Sequence, residues 1–397
     1  MRKKLIRGIS LFLLAFIIFS AAIAGTYRII IPSSLPCLSE SDMPSYPLLY
    51  TSQSLDLSER SELDYKLYGI IPLKSVSLSQ KEELKLYPGG MPFGVKFITE
   101  GVLIVGFCDV DSPSGKINPS SKAGLRLNDV ITKVNDMTIS GAAELTHIIE
   151  ESGGQNVDIS YTRGGKEYTT KLSPAYSSSE NKYKTGIYVR DSGAGIGTVT
   201  FIVPESYAFA GLGHGICDAG TGELIPMQRG SVVDVTINGV VKGLVGTPGE
   251  VKGYFSSGKT GSLLGNTECG VYGIFAAKPK TIHCEPIPVG TRDEIQEGKA
   301  YIYCTLDSNC VSKYEIEIRN IDRSANGNKC FTVKISDPAL LEKTGGIIQG
   351  MSGSPIIQNG KLVGAVTHVL INDPTTGYGI FIENMLNAAQ MPMAKVS

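Results

Sequence analysis

Ile347-Ile348-Gln349-Gly350-Met351-Ser352-Gly353-Ser354-Pro355-Ile356-Ile357, near the C-terminus, is the stretch on which the reading of this chain turns. Short apolar runs flank a loop of glycine and serine, so one strand enters at Ile347-Ile348 and another leaves at Pro355-Ile356-Ile357. Asn359-Gly360 then marks a tight hairpin, and Leu362-Val363-Gly364-Ala365-Val366 runs back. A serine on such a turn exposes its Oγ. A nucleophilic serine also needs two backbone N–H groups aimed at the oxyanion that develops on its substrate. Gly350 and Ser352 are placed to supply them, and Gly353 removes a side chain where substrate would collide. Ser352 is the nucleophile candidate. Ser354, two residues on, points to the other side of an extended chain.

A serine needs a base. Ala210-Gly211-Leu212-Gly213-His214-Gly215 follows the strand pattern Gly197-Thr198-Val199-Thr200-Phe201-Ile202, and the glycines let other backbone approach the imidazole. With an ordinary pKa near 6.5, His214 suits proton transfer in both directions at neutral pH.

Working outward, the 397 residues suit two domains plus a tail. An apolar fraction of 42% and a charged fraction of 19% exclude a disordered chain. Lys+Arg is 37 against Asp+Glu 38, so there is no basic excess for nucleic acid. The 46 glycines, scattered between short β-rich runs, predict a mainly β protein. The eight cysteines form no C-x-x-C pair, and His283-Cys284 has no ligand spacing around it, so neither a metal nor a cofactor is expected. At the front, Arg2, Lys3, Lys4 and Arg7 precede the uncharged run Gly8 to Tyr27. Residues 1–28 thus read as a signal sequence or membrane anchor with the rest of the chain outside, and 29–85 as a polar linker.

Residues 86–176 hold a second set of motifs: a Gly/Pro-rich loop at 87–95, then Ser121-Lys122-Ala123-Gly124-Leu125, Leu127-Asn128-Asp129-Val130-Ile131 and Val134-Asn135-Asp136-Met137-Thr138-Ile139. Ala142 to Glu151 has apolar positions at helical spacing, and Val157 to Tyr161 is a closing strand. This region resembles a PDZ domain of the bacterial secreted-protease type. The resemblance implies capture of a peptide C-terminus by strand addition, with Gly90, Met91, Pro92, Phe93 and Gly94 offering N–H groups to its carboxylate. His147 is read as facing solvent or packed rather than facing the groove, and Cys108 as a core residue.

The loop at Ser352 and the motif at His214 together resemble chymotrypsin-like serine peptidases, with Met351 for the Asp and Ser354 for the second Gly of their Gly-Asp-Ser-Gly-Gly-Pro loop. Residues 177–397 are then a double β-barrel peptidase domain, with Thr367, His368 and Asp373 on the pocket wall. PDZ first, Gly-Leu-Gly-His in the middle and Gly345 to Lys361 near the end are more closely similar to the stage IV sporulation protein B peptidases. That family implies an exported endopeptidase in the space between the two spore membranes. It implies self-cleavage in residues 29–85 and cleavage of a membrane-bound regulator of an intramembrane protease, which activates a sigma factor. It also implies Asp337, fifteen residues before Ser352, as the group that orients His214. Asp218 and Asp234 stand nearer the histidine, where chymotrypsin-like enzymes carry that acid, and Asp337 before Pro338 also suits a helix N-cap. A non-catalytic PDZ scaffold and an envelope quality-control protease are the other readings.

Overall fold

The computed structural model describes residues 2–31, 34–37, 46–51, 62–80, 84–282, 284–307 and 310–391. It divides into two units, residues 1–83 with 394–397, and residues 84–393.

In the first unit the helix Arg2–Ile30 carries the N-terminal apolar run. Its segment Ile6–Ile30 is long and apolar enough to cross a membrane, and its large side chains are exposed. The segment expected as a plain linker is in part folded. Ser34–Cys37, Ile71–Gln80, Glu62–Leu67 and Leu49–Thr51 pair, in that order, into a small sheet. Tyr65, Leu73 and Val76 are buried there, an apolar set too dispersed among polar residues to stand out in the sequence. Residues 38–45, 52–61 and 81–83 of that segment lie outside the described residues, as does His283.

The second unit is mainly β. Its first barrel closes through Pro92–Phe107, Met227–Val241, Glu250–Thr267, Gly270–Phe275, Ala208–Gly211 and Ile187–Ile202, the last pairing back to the first. Phe93, Val95, Phe97, Val199, Phe209, Leu212 and Val271 fill it. The second barrel closes through Gly298–Cys304, Ser312–Arg319, Phe331–Ile335, Asp373–Phe381, Lys361–Leu370 and Pro355–Gln358. Its hairpin at Asn359-Gly360 has both residues at positive φ (51° and 78°), as a two-residue turn matched to strand twist requires. A short helix, Ile382–Ala388, packs against it.

The PDZ core is formed by Val102, Ile104, Leu125, Ile131, Val134, Leu145, Ile148, Val157, Ile159 and Tyr161. Buried Asp129 of the Asn-Asp-Val-Ile motif binds Arg163 through both its oxygens (2.6 and 2.7 Å), a pairing that offsets the desolvation of the charge. Cys108 is only half-buried, and His147 is exposed beside Glu151.

The boundary at residue 86 does not match this architecture. Gly90 to Gly94 belong to the first barrel. The amides of Gly89 and Gly90 donate to the carbonyls of Thr200 and Val199, Met91 and Phe93 are core residues, and Pro92 to Gly94 pair with Thr198 to Ile196. The Gly89 and Gly90 amides are thus used in closing the barrel and are not free for a peptide carboxylate. The strand Pro92–Phe107 serves both domains: residues 92–98 lie in the barrel, and Val102 and Leu103 pair with Ile131 and Val130 of the PDZ sheet. The turn of direction is at Gly101 (φ +77°), where a Cβ would meet the Ile131 carbonyl at 2.3 Å.

The module is therefore inserted at the tip of a barrel hairpin, in which Ile98 and Ser192 are register partners. Replacing residues 99–191 by Asn-Gly should leave a barrel that unfolds cooperatively in circular dichroism, whereas deleting 90–175 removes a barrel strand and should give no folded protein. An insoluble 99–191 replacement would mean that the barrel needs the module to close.

Candidate active site

Two loops from different barrels meet at the site. Ser352 follows Gly350 (φ +98°), which lets the chain turn sharply out of Ile347-Ile348, both buried in the second barrel. The loop is fastened to the first barrel by its backbone. The Thr198 amide donates to the Ser352 carbonyl (3.1 Å), Thr198 Oγ1 to the Gly350 carbonyl (2.7 Å) and Thr200 Oγ1 to the Gly353 carbonyl (2.8 Å). Gly353, at φ +94°, leaves no room for a side chain, since a Cβ would stand 2.1 Å from the Thr198 carbonyl oxygen and 2.4 Å from the Leu212 nitrogen. The glycine is thus required by the seam between the barrels, and not by substrate as the sequence pattern implied. Ser354 is buried in that seam and is no nucleophile. The amides of Gly350 and Ser352 donate to no protein acceptor among the described residues, leaving both free for an incoming oxygen.

His214 sits just past the strand Ala208–Gly211, on a turn made by Leu212 (φ +67°) and Gly213 (φ +69°). Its Nδ1 lies 2.9 Å from the Gly215 carbonyl. A carbonyl only accepts, so Nδ1 carries the proton and Nε2 presents its lone pair. Burial pushes the imidazole pKa below its ordinary value, and the Gly215 carbonyl opposes this only in part. The His368 ring lies tilted against it, with ring centroids 4.8 Å apart and an interplanar angle of 36°. Burial first, then the neighbouring charges of His214 and Lys329, lowers His368 to about 4, so it is neutral at neutral pH.

His214, Ser352, His368, Gly350 and Thr367 line one cleft of ≈ 600 Å³. Its remaining walls include Val95, Phe97, Ile196, Ile348 and Ile371, and no Asp, Glu, Lys or Arg is among the described lining residues. The Ser352 hydroxyl donates to the Thr367 carbonyl (2.7 Å) and not to His214.

None of the three aspartates reaches His214. Asp337 caps the helix Pro338–Thr344: its Oδ1 accepts from the amides of Ala339 (3.0 Å) and Leu340 (3.1 Å), and its Oδ2 from that of Glu315 (3.2 Å). One oxygen is committed to the cap and the other to the Glu315 amide. Asp218 is buried, with Oδ1 accepting from Gly220 and Thr221 and Oδ2 3.0 Å from Arg190. Asp234 is exposed on the first barrel. The tilted His368 is the neighbour that sequence reasoning left undecided; its place next to Thr367, on the strand after the nucleophile, was the available signal.

The family model for the SpoIVB peptidase S55 matches residues 181–386, more than half the chain, and that for the PDZ domain matches 95–173. The chain belongs to the SpoIVB peptidase S55 family. It is a serine peptidase with a PDZ module, both barrels and both loops lying in the S55 match apart from the strand shared with the PDZ. A zinc metalloprotease RasP of Oceanobacillus iheyensis is 27% identical over 96 residues, 22% of this chain and 23% of that one. The chain thus spans about a quarter of that curated relative. Among solved structures, the Rv3671c protease of M. tuberculosis in its active form is 13% identical, covering 51% of this chain and 76% of that one at a TM-score of 0.29. The PDZ domain of the SdrC-like protein of Listeria monocytogenes is 20% identical, covering 23% and 87% at 0.19.

Two outcomes test the S55 site. Gly353→Ala should cost about 1–3 kcal/mol of stability and remove most reactivity at Ser352, read by thermal unfolding and fluorophosphonate labelling of the full chain in detergent. A base must be unprotonated to act, so a lowered His214 pKa keeps labelling alive to lower pH. The acid limb of the labelling rate should have its midpoint below about 6.5. A midpoint above that would mean that a carboxylate pairs with His214.

Proposed function

We propose that Ser352 is the nucleophile and His214 the base of an exported endopeptidase. The observation that carries this is the convergence, in one cleft, of a serine and a base from separate barrels beside two amides that have no protein acceptor among the described residues. In the resting arrangement the Ser352 hydroxyl is held by Thr367. Turned toward His214, its Oγ forms a bond to the substrate carbonyl carbon as its proton passes to Nε2. The oxyanion takes hydrogen bonds from the amides of Gly350 and Ser352. The C–N bond then breaks, the leaving amine takes the proton from Nε2, and water repeats the sequence to free the acid. The Gly215 carbonyl holds the tautomer that an aspartate fixes in the usual triad, and Asp337 supports the helix before the nucleophile loop. The uncharged walls favour apolar side chains flanking the scissile bond.

S55 membership, the apolar N-terminal helix and the PDZ module support the narrower reading. On it, the enzyme is anchored or exported through that helix into the space between the two spore membranes. It cleaves itself within residues 29–85, then cuts a membrane-bound regulator of an intramembrane protease in a sporulation pathway. A signalling role of this kind leaves denatured casein largely intact, whereas a quality-control protease digests it.

Fluorophosphonate labelling mapped by mass spectrometry should place an adduct on Ser352 that Ser352→Ala and His214→Ala abolish. Asp337→Asn, which keeps a capping oxygen, should label at near the native rate, while Asp337→Ala should lose about 0.5–2 kcal/mol of stability. A folded Asp337→Asn protein that no longer labels would restore Asp337 to the triad.

A further inference from the structure

One strand, Ile187–Ile202, touches everything that matters to the site. At its start it is part of the PDZ module: Ile187 and Val189 pack against the PDZ core, and Ile187 to Arg190 pair with the Leu103–Phe107 segment. With the helix Ala142–Glu151 it walls a cleft of ≈ 270 Å³, lined also by Leu145, Ile149 and Tyr183. At its end it holds the nucleophile loop through Thr198 and Thr200.

Two charged residues lie between these ends. The helix Ala142–Glu151 starts at Gly141, which has no side chain to cap it. Asp191 supplies the cap from the strand, its Oδ2 accepting from the Ala142 amide (2.9 Å). This satisfies an orphan donor and sets a negative charge at the positive end of the helix. That contact is also the first cause of a lowered Asp191 pKa. Next to it, Arg190 Nη1 stands 3.0 Å from Oδ2 of Asp218. Asp218 is 1% exposed, and its other oxygen organises the Gly220-Thr221 turn that follows the His214 loop.

We infer that Asp191 and Arg190 are positioning residues through which the PDZ module sets the placement of both catalytic loops. The module is then a support of the active site as well as a place for a peptide, and a displacement of the helix Ala142–Glu151 would be felt at Ser352 and His214 along the strand. For its kinetic arm this rests on the serine-peptidase assignment of Ser352.

The test uses the full chain in detergent with Asp191→Asn, Asp191→Glu, Arg190→Gln and Glu144→Gln. Glu144 serves as control: its Oε2 accepts from the Ser140 amide (2.9 Å) and hydroxyl at the entry to the same helix, its hydrogen bonds among the described residues staying within that segment. Thermal unfolding, amide hydrogen exchange at Thr198 and Gly353, and fluorophosphonate labelling of Ser352 are measured together. Asp191→Asn and Arg190→Gln should speed that exchange and slow labelling by about fivefold or more, Asp191→Glu should restore part of both, and Glu144→Gln should leave both native. Native exchange and labelling in Asp191→Asn and Arg190→Gln would overturn the inference. So would equal changes in Glu144→Gln at an equal loss of melting temperature. If the wild type does not label at Ser352 but the exchange differences appear, the coupling stands and the nucleophile assignment falls.

Discussion

The closure of Gly353 against the first barrel is the contact on which the rest of the peptidase depends. A carbonyl from Thr198 and an amide from Leu212 approach so closely that any Cβ would overlap them. Because each barrel contributes one face of this seam, the loop bearing Ser352 and the loop bearing His214 are placed by the same packing. The hydrogen bonds from Thr198 and Thr200 run from one barrel to the backbone of the other, so they locate the loop without using any group that a substrate needs. Gly350 and Ser352 retain their amides for that reason.

The surroundings of the base differ from those of an acid-partnered histidine. A carboxylate would raise the pKa of His214 and stabilise its charged form. Here a backbone carbonyl fixes the tautomer, and burial holds the pKa of the resting ring below its ordinary value, with the tilted His368 ring beside it. This favours the free base at the start of the reaction, and less of the imidazolium is stabilised once the proton has moved. Asp337 contributes one step away, by ending the strand Phe331–Ile335 in a capped helix that leads to the nucleophile loop.

Inserting the PDZ module at a hairpin tip makes the two domains mechanically continuous. Two flexible linkers would let the module move independently of the barrels. Two strands that cross the junction and pair on both sides of it, with a register shift between Arg190 and Ser192, restrain that motion. Arg190 and Asp191 are adjacent in sequence, and alternation along the strand sends their side chains to opposite sides, one toward the His214 loop and one toward the PDZ helix.

Local chemistry made much of this legible without a structure. The Asn359-Gly360 hairpin, the glycine-flanked His214, the loop at Ser352, the apolar period of Ala142–Glu151 and the uncharged N-terminal run each depend on neighbours a few residues away, and each was readable as such. The small N-terminal sheet was missed because the residues it is seen to bury, such as Tyr65, Leu73 and Val76, are scattered among polar ones in the sequence. The Gly90–Gly94 loop was misassigned because a Gly/Pro-rich lead into a strand looks the same in a PDZ domain as in a barrel; only the partners of its amides, Val199 and Thr200, distinguish them. Asp337 was read as the acid of the triad, with an N-cap as the competing role, and which groups its oxygens serve is decided by the helix it caps and the strand Ser312–Arg319 beside it. The proposed nucleophile and base could thus be named from the sequence by itself, since local backbone geometry selects those residue types. Which groups surround them is a property of tertiary structure, since Thr198 and His368 reach the site from distant parts of the chain through contacts whose geometry no short stretch of chain encodes.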